Sequence, residues 1–77
     1  MTVYNIRVNN TGIQRMTTWA IQPKSTGEFN DMICEFVATG FEAAADMAFN
    51  WSQEIGEPIT IWRVGTISQF RWMDVEA

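Results

Sequence analysis

The spacing of apolar and polar positions changes several times along this chain, and each change marks an element. In residues 2–8 they alternate, with Tyr4, Ile6 and Val8 on one side and Val3, Asn5 and Arg7 on the other. That is the pattern of a half-buried strand. Asn9, Asn10, Thr11 and Gly12 follow as turn residues tolerant of positive φ. Residues 15–22 alternate again, Trp19 and Ile21 against Met16, Thr18 and Ala20, and either side would serve as a core face. Pro23 ends pairing, and Lys24, Ser25, Thr26 and Gly27 make the next turn. Residues 29–38 read as a third strand. Its cleaner apolar face holds Met32, Cys34, Phe36 and Ala38, while Asp31 and Glu35 mark a wet face shared with Ile33 and Val37.

At residues 39–56 the period lengthens to that of a helix. Phe41, Ala44, Ala45, Ala48 and Ile55 fall on one side with Trp51 at its edge, and Glu42, Asp46, Asn50, Gln53 and Glu54 fall on the other. Thr39 and Glu42 have capping-box spacing, Gly56 suits a left-handed C-terminal cap, and Pro58 blocks continuation. Burying Phe41, Ile55 and Trp51 would contribute roughly 1.5–3 kcal/mol each. Phe41→Ala is therefore expected to be among the most damaging changes.

Residues 59–75 read as a hairpin. A two-residue turn at Gly65 and Thr66 sets Val64 opposite Ile67, Trp62 opposite Gln69, Ile61 opposite Phe70 and Ile59 opposite Trp72. One face then collects Ile59, Ile61, Phe70 and Trp72 for the helix, and the other carries Thr60, Trp62, Val64, Ile67 and Arg71. The sum is β-β-β-α-β-β in a single domain over residues 1–77. Its fold class is α+β: a mostly antiparallel sheet of about five strands with one helix on one face. The uncovered face would carry Trp62, Ile33 and Val37 and, in one of its two facings, Trp19, with Arg63 and Arg71 nearby. An outward-facing Trp beside Arg has the composition of a binding hot spot.

Composition narrows the function classes. The chain has 77 residues, no histidine and one cysteine, Cys34. This excludes an internal disulfide, the usual zinc sites and triads or dyads built on histidine. Cys34 reads as a small buried hydrophobe, and an unpaired cysteine fits a reducing interior. The glycines are scattered with no phosphate-binding loop among them. Carboxylate pairs such as Glu42 with Asp46, or Asp31 with Glu35, read as solvated surface. No catalytic residue, metal ligand or cofactor site is expected, so the chain reads as a non-enzyme. No signal peptide and no apolar run of membrane-spanning length is visible, which predicts a cytoplasmic chain with no membrane partner.

A net charge of -4 opposes direct binding to nucleic acid. Trp62 beside Arg63, and Arg71 between Phe70 and Trp72, would otherwise suit a single-strand stacking platform. Four Trp, five Phe and one Tyr are many for this length, and their partial exposure points to protein contacts. Glu42, Asp46 and Glu54, followed by Glu57, give the helix an acidic outer stripe of the kind that can occupy a basic groove built for nucleic acid.

The helical segment GFEAAADMAFNW followed by ITIWRV resembles, in pattern, the helix-then-strand core of the short phage inhibitor of bacterial RNA polymerase. It is equally similar to compact type I anti-CRISPR proteins; the likeness covers roughly residues 19–64. What the resemblance implies is a stoichiometric inhibitor that acts in the host cytoplasm on a bacterial protein complex, a CRISPR effector first and RNA polymerase as the alternative. The expected contact residues are Trp62, Arg63, Arg71, Trp19, Glu42, Asp46 and Glu54. A reading of another class is a structural protein that forms a homodimer through the open sheet face.

Overall fold

The structure, a computed structural model, describes residues 17–77. The strand expected at residues 2–8, the turn at 9–12 and the first positions of the second expected strand lie outside the described residues. Within them the order is β1 (Thr18–Pro23), a single 3-10 turn (Lys24–Thr26), β2 (Glu35–Val37), α1 (Phe41–Ile55), β3 (Ile59–Val64) and β4 (Gln69–Val75). The strands form one antiparallel sheet in the order β2-β1-β3-β4, and α1 packs across one face. This is an α+β fold with four described strands, where about five were expected.

β1 is central, and its two faces divide the molecule. Trp19 and Ile21 turn toward the helix and join Val37, Ile59, Ile61, Ala44 and Ala48 in the core. Ala20 and Gln22 turn to the underside, yet both are fully buried. The small residues of the helix let its axis approach the sheet, so the volume between the layers is filled mainly by strand side chains.

The helix ends where its glycines permit. Gly56 is left-handed at φ 75°, and its N–H donates to the Ser52 carbonyl at 2.8 Å. At the other end the N-cap is Gly40, whose carbonyl accepts from the Ala44 N–H at 3.2 Å, and no side chain caps the turn. The capping box expected from Thr39 and Glu42 is therefore not made: the helix starts one residue later than that box requires. Ile55 is also corrected, since it stands half exposed in the last turn. The inward position there belongs to Ser52, whose hydroxyl donates to the Glu57 carbonyl at 2.7 Å and accepts from the Ala77 N–H at 3.1 Å.

The β3–β4 hairpin keeps the expected faces but not the expected register. Gly65 N–H donates to the Ser68 carbonyl at 2.8 Å, so the turn is centred on Thr66 and Ile67, one residue beyond the expected pair. Strand partners consequently shift by two: Val64 faces Gln69, Arg63 faces Phe70 and Trp62 faces Arg71. An even shift preserves facing, which is why Ile59 and Ile61 still reach the core. A β-bulge then inserts one extra residue on β4, so Ile61 faces Met73 and Ile59 faces Val75. Gly65 sits in a tight space: a Cβ there would come within 3.2 Å of the Ser68 carbonyl oxygen.

The third expected strand, residues 29–38, is mostly not a strand. Asn30 organises a turn instead, its side-chain oxygen accepting from the Met32 N–H and its carbonyl from the N–H groups of Ile33 and Cys34. Only Glu35–Val37 pairs with β1. The facing is also reversed from expectation: Val37 is in the core, while Met32 and Phe36 are exposed.

Candidate functional site

The underside was expected to be open, and in the structure its centre is closed. Buried Gln22 is the reason. Its amide nitrogen donates to Thr26 Oγ1 at 2.9 Å, the Gly27 carbonyl at 3.2 Å and the Glu28 carbonyl at 2.9 Å, and its oxygen accepts from the Asn30 N–H at 3.0 Å. These bonds fold the loop after β1 beneath the sheet. They deliver Phe29 edge-on to Trp62 at 5.6 Å between ring centroids, while the Arg71 guanidinium covers the same indole at 4.8 Å.

Trp62 is thus on the predicted face but only 5% exposed, and Trp19 is 6% exposed within the helix-side core. Neither indole is available as the outward contact residue it was expected to be. The two arginines are not neighbours on one surface. Arg71 lies on the underside over Trp62, and exposed Arg63 belongs to the helix-side row beside Trp19. The aromatic–arginine face expected from the sequence is therefore divided between the two sides of the sheet.

The acidic side chains stand where the helical period placed them. Glu42, Asp46 and Glu54 are all exposed, and α1 carries no lysine or arginine to neutralise them. Glu42 and Asp46 are one turn apart, and Glu54 lies about 18 Å along the axis from Glu42 at 1.5 Å per residue. Met47 and Phe49, each more than two-fifths exposed, interrupt the stripe with apolar area. Toward β2 the helix borders a groove of about 460 Å³, with Ile21 and Trp51 inside and Glu35, Met47, Asn50 and Glu54 around them. An acidic surface with apolar insertions suits a basic partner that also presents apolar side chains.

Asp74 is a carboxylate held by both a hydroxyl and an ammonium group. Burial alone would raise its pKa. The Thr60 hydroxyl at 2.8 Å, the Lys24 ammonium at 3.0 Å and nearby Arg71 outweigh that effect and hold it below its ordinary 3.8. A depressed carboxyl pKa stabilises the fold above the unfolded value, and the contribution disappears as pH falls through the folded value. Thermal stability is thus expected to fall below about pH 4, and Asp74→Asn to flatten that fall. Parallel melting curves of the two proteins against pH check this; identical slopes would remove Asp74 from the account.

Burial pushes the Cys34 thiol up from 9.0, its backbone hydrogen bond opposes the shift, and Asp31 and Glu35 push it further up. The thiol is therefore protonated at neutral pH and a poor nucleophile. Among the described residues no group of three or more His, Cys, Asp or Glu is placed to hold a metal ion. No helix among them is long and apolar enough to cross a membrane.

Sequence reasoning missed the edge formed by β4. Phe70 and Trp72 are each more than half exposed and Met73 nearly so. The run from Phe70 to Trp72 was visible, but the hairpin register used to read it gave these side chains to the core. Comparison with family models, with curated proteins and with solved structures gave no match.

Proposed function

We propose that this chain is a small non-enzymatic binding protein that inhibits a bacterial nucleic-acid-handling complex, acting in the host cytoplasm as a phage-type anti-CRISPR protein. The observation that carries the reading is the outer face of α1, with exposed Glu42, Asp46 and Glu54, no cation along the helix, and Met47 and Phe49 set among them. Such a face offers carboxylates where a nucleic-acid groove presents lysine and arginine, and the apolar side chains add affinity that salt does not screen. The class of target comes from the pattern resemblance of roughly residues 19–64 to compact phage inhibitors.

The contact surface is accordingly narrower than the sequence suggested. It keeps Glu42, Asp46 and Glu54 and releases Trp19 and Trp62, which serve as packing. Affinity capture from bacterial lysate, followed by mass spectrometry, tests the target class. Recovery of CRISPR surveillance subunits supports the reading, recovery of RNA polymerase moves it to the alternative inhibitor class, and recovery of neither overturns it. Reversing Glu42, Asp46 and Glu54 to lysine should weaken target binding at least about tenfold with the circular dichroism unchanged. Undiminished capture by that variant would mean the stripe is only a solubilising surface.

A further inference from the structure

We propose that β4 is a self-recognition strand: two copies of this chain pair antiparallel through their β4 edges, about a two-fold axis passing between Trp72 and Met73. The inference is independent of the helix-face reading. Among the described residues β4 is an edge, bonded to β3 on one side only. Six of its seven residues are exposed.

The choice of a second copy rests on the order of faces along the strand. Phe70 lies on the helix side, opposite Arg63 in the row of Trp19, and Arg71 lies on the underside over Trp62. Trp72 returns to the helix side, where it meets Trp19 edge-on at 5.2 Å. The bulge then puts Met73 opposite core residue Ile61, on that same side. Asp74 is again on the underside with Thr60, and Val75 packs toward the core. From Phe70 to Val75 the pattern is apolar, cation, apolar, apolar, anion, apolar, with helix side and underside arranged symmetrically about the middle.

Antiparallel pairing about that midpoint sets Phe70 against Val75, Trp72 against Met73 and Arg71 against Asp74 of the other copy. Every pair then shares a face, and the Arg71–Asp74 pair forms twice, once on each side of the axis, as an isologous contact requires. Without the bulge the two halves of the strand would present different faces to each other and the match would fail. A generic strand could satisfy the apolar positions; the charge order selects a second copy.

Sedimentation velocity of the full chain across micromolar to millimolar concentrations tests this. The wild type is expected to form a dimer, and the amides of β4 to gain hydrogen-exchange protection as concentration rises. Arg71→Asp and Asp74→Arg should each raise the dimer dissociation constant at least about tenfold, because either change puts like charges opposite at two symmetric places. Mixing the two variants should restore a dimer, since one copy then carries two anions and the other two cations at the paired positions. A wild type that stays monomeric throughout would overturn the proposal and give the edge another occupant, this chain's residues 2–8 included. Dimers unaffected by either reversal would overturn it too. Should a variant fail to fold, the concentration dependence of wild-type β4 protection decides: protection that does not change with concentration refutes the pairing.

Discussion

Trp19→Ala should destabilise the fold by about 3–5 kcal/mol, a large share of the roughly 5–15 kcal/mol that holds a small domain together. The indole sits on the central strand between Val37 and Arg63 and touches Phe41 and Trp72, each at 5.2 Å in edge-to-face geometry. Its removal opens a cavity bounded by β2, β3, β4 and the first turn of α1, elements too firmly paired to collapse into it. Urea unfolding followed by circular dichroism measures the loss, and a cost under about 1 kcal/mol would contradict this account of the core. Trp19→Phe is the instructive control. The indole N–H is buried with no hydrogen-bond partner among the described residues, so phenylalanine removes an unpaired donor along with some volume. It should cost far less than alanine. The sequence expected Phe41 to hold this rank, but Phe41 is only partly buried and acts by covering Trp19.

The second large effect belongs to a polar side chain. Gln22→Leu keeps the volume of a fully buried residue but removes the four hydrogen bonds that hold the loop under the sheet. The Asn30 N–H and the carbonyls of Gly27 and Glu28 lose their partner, and leucine cannot replace it. A loss of about 3 kcal/mol is expected, less if the loop swings out to find water. That movement would carry Phe29 away from Trp62, so tryptophan emission should shift to the red under native conditions. Stability unchanged, with emission unchanged, would show that the loop holds its place without Gln22.

These two residues mark the boundary of what was legible. Periodicity located α1, its Gly56 terminus and the two strands of the β3–β4 hairpin, because those features follow from local spacing. It also told which residues of β3 face the helix, since the register error was two residues up to the bulge and the bulge keeps the faces beyond it. Residues 29–34 misled because Phe29, Met32 and Ile33 look like strand residues, although Asn30 and Asp31 together were a turn signal. The role of Gln22 was not readable at all: a glutamine in an alternating strand looks like an outward position until the loop that covers it is in place. For the same reason Trp62 was given to the right face and the wrong exposure. Of the candidate site, the helix carboxylates followed from angle alone, whereas the β4 edge depended on a bulge that no local pattern announces.

The Ser52 hydroxyl fastens the backbone at Ala77 to the last turns of α1, and so decides where the sheet can begin to come apart. β4 is anchored at its far end through that contact, while at its near end the turn residue Ile67 is almost wholly in solvent. Fraying should therefore start at the hairpin tip and run along β4 toward Ala77. Under mechanical or thermal stress the chain opens like a zip with its slider at the loop.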